Sequence, residues 1–266
     1  MRIGLLSGAL LLSLPAAVMG LERAMLFPRP LDPTRDVAGN IDGLERWWRD
    51  IPGGRVEAWF IPAPSASVAH PGPLVLYAHG NGGTIDHVVP TLLPYLQLGI
   101  SVLLPEYRGH GRSDGRPSQG AITEDLSVFL HQAKVRPEVD ADRVLFHGRS
   151  LGGGAVCSVA RTYPPDALLL ESTFTGVRRR AWEIAGPLGW LVRNALDSQG
   201  WVEGFAGPVL VIHGERDEVI PHRHGAILAA SAPHGRLVTR QAGHNDLPRD
   251  DAYWAEIRTL LDEAGF

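Results

Sequence analysis

The chain has 266 residues, is 44% hydrophobic and 20% charged, and carries a net charge of −4. That length supports one α/β domain with a full core, or two small domains. A slightly acidic chain with no basic stripe, zinc-finger spacing or aromatic RNA motif argues against nucleic-acid partners, and the single cysteine, Cys157, excludes an internal disulfide.

Arg2 is followed by an uncharged stretch rich in leucine and alanine, Ile3 to Leu21. Residues 1–20 are expected to be a signal peptide or an N-terminal membrane anchor; as a secretory signal they offer only Val18-Met19-Gly20, a poor small-residue cleavage site. As an uncleaved anchor they are long enough, because about 20 apolar residues span a bilayer. A buried core helix fits less well, since the stretch is apolar all round. The missing A-x-A-like site favours the anchor. Either form makes the protein membrane-anchored or exported, with residues 21–266 as the folded domain. A lone cysteine is compatible with that compartment, where disulfides are permitted and not required.

Beyond the leader, β-rich apolar runs alternate with helical patterns. Strands are expected over Leu44–Arg49, Val56–Ile61, Leu74–His79, Ser101–Pro105, Val144–His147, Ala167–Leu170, Val209–His213 and Arg236–Thr239. Helices are expected over Ile85–Leu98, Ala121–Val135, Gly154–Tyr163, His222–Ala230 and Asp250–Ala264. Continuous Val/Ile/Leu runs suit strands buried on both faces of a parallel sheet, and the alternation predicts a doubly wound, mostly parallel eight-stranded α/β sheet. No helix separates the first two strands, which predicts an antiparallel edge. The proline-rich segment from Pro62 to Pro73 is a surface loop. Thr173 to Gly207 carries Trp182, Trp190 and Trp201 and is too short for a domain. It reads as a short cap (173–207) between strands six and seven, over the sheet edge where open α/β folds bind ligands. The plainer alternative is a crossover helix with solvated Arg178, Arg179 and Arg180.

Chemistry concentrates after the fifth strand. Gly148-Arg149-Ser150-Leu151-Gly152 sits between strand and helix, the setting of a nucleophile elbow. A serine hydroxyl needs a general base, and the base needs an orienting acid. In such a fold these follow in the order Ser, Asp or Glu, His. Asp217, just past the seventh strand, and His244, in Gly243-His244-Asn245, occupy those places. Ser150 is therefore the expected nucleophile, His244 the base and then acid, and Asp217 the group that sets the imidazole tautomer. Glu171 is the alternative acid, after the sixth strand. Asp246 is too close in sequence to reach the far nitrogen of His244. The remaining histidines are expected to be structural; His79, His147 and His213 precede glycines at strand ends, and His222, His224 and His234 look exposed. Cys157 falls in an apolar helix and is expected to be a buried structural thiol.

Acyl transfer also needs donors aimed at a developing oxyanion. The glycine-rich His79-Gly80-Asn81-Gly82-Gly83 follows the third strand, so the backbone N–H groups of Asn81 and Leu151 are the expected oxyanion donors. The loop lacks the Gly-Lys-Ser/Thr of a P-loop, and no dinucleotide fingerprint or metal-ligand spacing occurs. No cofactor and no metal are expected.

These segments, together with Tyr107 to Ser113, Glu171-Ser172-Thr173-Phe174 and His213 to Asp217, make the chain resemble the α/β-hydrolase superfamily from about residue 25 to its C-terminus. Within it the chain is similar to the Bem46-like and ABHD13-like serine hydrolases of the serine aminopeptidase S33 type. The resemblance implies the α/β-hydrolase fold, the same three residues and the same oxyanion loop. The cap is shorter than in large-capped relatives, and Arg149 stands where a smaller or aromatic residue is usual. The expected activity is hydrolysis of an ester, thioester or amide bond in a small-molecule or lipid-like acyl substrate. The alternatives are an acyltransferase on the same triad and a non-catalytic scaffold on the same fold.

Overall fold

The computed structural model describes residues 20, 22–28 and 36–266. The expected leader lies, apart from Gly20, outside the described residues. Among those described, no helix is long and apolar enough to cross a membrane.

Eight strands form one sheet: β1 (Glu45–Ile51), β2 (Gly54–Ile61), β3 (Gly72–Ala78), β4 (Ser101–Pro105), β5 (Val139–Arg149), β6 (Ala167–Glu171), β7 (Val209–Gly214) and β8 (Gly235–Arg240). Their order is β1-β2-β4-β3-β5-β6-β7-β8. As expected, β1 pairs antiparallel with β2; β2 is also antiparallel to β4, and the remaining pairs are parallel. Side chains alternate between the two faces. Phe146, Leu168, Leu170, Val209 and Val211 belong to one buried layer. Their sequence neighbours Leu145, Leu169, Leu210 and Ile212 belong to the other. This explains why the central strands read as unbroken apolar runs: both faces are covered.

From residue 36 onward the α-helices are α1 (Ile85–Val88), α2 (Leu93–Gln97), α3 (Gln119–Lys134), α4 (Leu151–Ala160), α5 (Val177–Ala185), α6 (Gln199–Val202), α7 (Arg223–Ser231) and α8 (Asp251–Glu263). The single helix expected over Ile85–Leu98 is in fact α1, a tight turn at Val89–Thr91 and α2. Pro90 and Pro94 lack the N–H that a continuous helix needs. The N-terminus of α3 is capped by Ser118 Oγ, which accepts from the Ala121 N–H at 3.2 Å, and that of α8 by Asp250, which accepts from the Tyr253 N–H at 2.9 Å. β5 starts at Val139, earlier than expected, because the polar run Asp140–Arg143 at its start hid it. The segment between β6 and β7 is helical and carries α5, a 3-10 stretch over Gly186–Leu191 and α6, the short cap anticipated there.

Candidate active site

β5 and α4 meet at Ser150, whose φ of 52° and ψ of −117° lie in a region that only glycine occupies without strain. The backbone around it holds that conformation. The Ser150 N–H donates to the Glu171 carbonyl at 2.9 Å. The Ser150 carbonyl accepts from the Gly153 N–H at 3.0 Å and from the Thr173 hydroxyl at 2.6 Å. The flanking glycines are sterically required. A Cβ on Gly148 would lie 2.5 Å from the Gly152 carbonyl oxygen, and one on Gly152 would collide with the backbone carbonyl of Ala78.

Two loops at the same sheet edge bring the other expected residues to Ser150. His244, after β8, places Nε2 3.0 Å from Ser150 Oγ. Its Nδ1 lies 2.7 Å from Asp217 Oδ2, after β7. An ionised carboxylate can only accept, so Nδ1 carries the hydrogen and Nε2 presents its lone pair to the serine hydroxyl. Asp217 Oδ1 accepts from the Val219 and Ile220 N–H groups at 3.0 and 2.7 Å. Burial alone would raise the Asp217 carboxyl. Hydrogen bonds from His213, His244 and the Ile220 N–H outweigh it and hold the group well below the ordinary carboxylate range. His213 Nε2 also lies 2.8 Å from the Ile220 carbonyl, so the loop after β7 is tied on both sides.

The backbone N–H groups of Asn81 and Leu151 have no acceptor among the described residues. That of Leu151 is one of the orphan donors of the first turn of α4. Both residues line, with Ser150, a cavity of about 190 Å³ whose other walls are mostly apolar and include Phe174, Val177, Ile184 and Ile220. The Asn81 side chain donates to the Met25 carbonyl at 3.1 Å, which ties the loop after β3 to residues 22–28.

The alternative acid has a different post. Glu171 is buried and accepts from Arg249 Nη2 at 2.9 and 3.1 Å and from the Tyr253 hydroxyl at 2.8 Å. Arg149 Nε stands 3.2 Å away. Burial raises its carboxyl, but Arg249, His147 and Arg149 together hold it far below the ordinary range. Among the described residues no hydrogen bond joins Glu171 to His244. Asp246 Oδ1 accepts from the Gly243 N–H at 2.6 Å and shapes the turn that presents His244.

His224 corrects an expectation. It looked exposed and is fully buried, with Nε2 3.1 Å from Glu183 Oε2 and Nδ1 3.1 Å from the Thr175 hydroxyl. A histidine near the start of a helix gives no local sign that a cap carboxylate will fold over it. Arg149 and Arg249 were not anticipated as parts of the site. Arg149 reaches the His244 carbonyl 95 positions on, and Arg249 reaches Glu171 78 positions back, so no local pattern announces either contact. Among the described residues, no group of three or more His, Cys, Asp or Glu side chains is arranged to hold a metal ion.

Residues 69–201 match the family described as serine aminopeptidase, S33. The chain is 33% identical to the α/β hydrolase domain-containing protein WAV2 of Arabidopsis thaliana, over 88% of this chain and 82% of that protein. It is 31% identical to the lysophosphatidylserine lipase ABHD12 of Macaca fascicularis over 71% of this chain, and spans about half (52%) of that relative. Among solved structures, Est1E of Butyrivibrio proteoclasticus with ferulic acid bound superposes with a TM-score of 0.69 at 18% identity, covering 83% of this chain and 100% of the other. An esterase of Pyrococcus furiosus superposes at 0.67 and 15% identity, over 90% and 96% of the two chains. With the doubly wound sheet, the strand-to-helix turn at Ser150 and a relative of this identity over most of both lengths, the chain belongs to the α/β-hydrolase superfamily.

Proposed function

We propose that the protein is a serine hydrolase that cleaves ester or thioester bonds, and amides by the same route, through an acyl-enzyme. The observation that carries this reading is the run from Asp217 Oδ2 through His244 to Ser150 Oγ, at 2.7 and 3.0 Å, beneath an apolar cavity. In this mechanism His244 Nε2 takes the Ser150 proton as Oγ attacks the acyl carbon. The oxyanion is held by the N–H groups of Asn81 and Leu151. The protonated imidazole, stabilised by the ionised Asp217, gives its proton to the leaving alcohol or thiol. Water then attacks the acyl-enzyme, with His244 again as base, and releases the acid.

Apolar walls at Phe174, Val177 and Ile184 suit the acyl chain of a small-molecule or lipid-like substrate. The names of two similar proteins, one a lysophosphatidylserine lipase and one an esterase, agree with that chemistry. Residues 1–20 then serve to anchor the enzyme in, or export it across, a membrane.

The test is hydrolysis of p-nitrophenyl esters of graded chain length by wild type and Ser150→Ala. Loss of activity on the order of 10⁶-fold in the variant supports Ser150 as nucleophile, and the chain-length optimum sizes the acyl site. Equal activity in both removes Ser150 from the mechanism. A fluorophosphonate label should attach to wild type and not to Ser150→Ala, and its failure to attach to folded wild type would argue against the acyl-enzyme.

A further inference from the structure

Residues 22–26 are helical. Positions 22, 25 and 26 have the i, i+3, i+4 spacing that places side chains on one face of a helix. All three, Glu22, Met25 and Leu26, line the Ser150 cavity. The chain then enters the core: Phe27 is buried, and Leu26 packs against the same apolar layer as Phe174 and Val177. Met25 is more than half exposed, as are Ile184 of α5 and Val219 of the loop after β7. These three side chains stand at the rim of the cavity, and the half-buried Leu26 stands inside it.

Phe27 anchors this short helix at one end, and two hydrogen-bonded ties hold the rest. Glu22 is buried, and its Oε1 accepts from the Arg193 and Asn194 N–H groups at 3.1 and 2.8 Å and from Asn194 Nδ2 at 2.8 Å. Both donors belong to the cap, after its 3-10 stretch. Asn194 Oδ1 in turn accepts from the Gln119 N–H, at the start of α3, at 2.7 Å. The second tie is the Met25 carbonyl, which accepts from the Asn81 side chain of the loop after β3. A buried carboxylate is costly unless donors meet it. Glu22 is met by the cap, which makes it a latch rather than an acid or base.

We propose that residues 22–28 form a wall of the acyl site, in which Met25 and Leu26 set the size of the acyl chain admitted and Glu22 latches them to the cap. This role rests on reading the Ser150 cavity as the acyl site. At about 190 Å³ the cavity is small, so one side chain changes what it holds.

The experiment is calorimetric binding of p-nitrophenyl butyl ether and p-nitrophenyl decyl ether, which resemble ester substrates but have no acyl carbon for Ser150 to attack. The full chain is used, as wild type, Met25→Trp, Leu26→Ala, Glu22→Ala and Glu22→Gln, and the ratio of the two Kd values is read. Met25→Trp fills the rim and should weaken the decyl ether relative to the butyl ether on the order of tenfold. Leu26→Ala empties space inside and should move the ratio about tenfold the other way, since a methylene or two in an apolar pocket is worth that much. Glu22→Ala frees the helix and should move the ratio toward that of Leu26→Ala. Glu22→Gln keeps an acceptor oxygen and should stay near wild type. Met25 is exposed, so Met25→Trp should keep the wild-type melting temperature and decides the matter even where another variant folds poorly.

A ratio unchanged in Met25→Trp, or no binding of either ether to wild type, would overturn the wall. Equal weakening of both ethers in Glu22→Ala would mark a merely structural carboxylate and overturn the latch. Ester hydrolysis by the same proteins and by Ser150→Ala separates this role from the chemistry. Full hydrolysis in Ser150→Ala removes the nucleophile whatever the ether ratios. Hydrolysis lost in Ser150→Ala with unchanged ether ratios removes the wall and leaves the nucleophile in place.

Discussion

Arg149 Nη2 donates to the His244 carbonyl oxygen at 2.9 Å. The residue immediately before the elbow serine thus holds the backbone of the histidine that faces that serine, across 95 positions of sequence. The same nitrogen lies 3.0 Å from Asn245 Oδ1, while Nε rests on the Glu171 carboxylate. A planar guanidinium can serve all three acceptors at once; a lysine ammonium on a flexible stem cannot.

Arg149→Ala should therefore lower kcat toward a short p-nitrophenyl ester by about 10²-fold, the effect of a base displaced by roughly an ångström. KM should change little, since Arg149 does not line the cavity. Arg149→Lys should restore only part of the loss. Parallel steady-state kinetics on the three proteins check this, and an unchanged kcat in Arg149→Ala would show that the His244 loop holds its place unaided.

Ser150→Gly should be more stable than wild type, although inactive. The positive φ of 52° costs a residue with a Cβ about 1–3 kcal/mol, and glycine avoids that cost. Each kcal/mol corresponds to about 2–4 °C in Tm for a chain of this size. Ser150→Ala keeps the strain and should melt near wild type. Thermal melts of the three proteins decide whether the elbow stores strain.

Glu171 makes stability depend on acid. Its folded-state carboxyl titrates below the ordinary value of 4.5. As pH falls, the unfolded chain therefore takes up this proton first. The stabilisation is complete above about pH 4.5 and is lost as pH drops through the folded-state value. Asp217 acts in the same direction from its ordinary value of 3.8. Glu171→Gln should cost about 3 kcal/mol at pH 7, because Arg249 then has no buried counter-charge. The cost should shrink toward pH 3, where the wild-type advantage fades. Denaturant titrations of both proteins across this range test the sign: a penalty that is constant with pH would contradict it.

Cys157 should be silent in the folded protein. It is buried in α4, and burial pushes its thiol up to about 12. Ellman's reagent should find no reactive thiol under native conditions and one per chain after denaturation. Fast labelling of the native protein would mean that α4 opens, or that Cys157 is reachable.

The order of strands and helices was legible because burial on both faces leaves its mark in short windows. Val209–Ile212 and Ala167–Leu170 are apolar throughout, as strands covered on both faces require. The elbow was legible for a local reason as well: its glycines avoid clashes within a few residues of Ser150. Where local signals conflict, expectation slipped. Pro90 and Pro94 broke a helix that the apolar spacing favoured, and the charged opening of β5 concealed its first residues.

Sequence alone determined the sheet, the turn at Ser150 and which loops carry Asp217 and His244, since each depends on neighbours close along the chain. Only the tertiary structure decided between Asp217 and Glu171 as the partner of His244, because both are carboxylates at strand ends and only the packing of β6 against α8 gives Glu171 to Arg249 and Tyr253. It also decided that His224 is buried beneath the cap, that Arg149 braces the histidine loop, and that Trp182 and Trp190 face outward. Those outcomes depend on distances between elements far apart in sequence, and such distances are set only when the sheet closes and the cap folds over it.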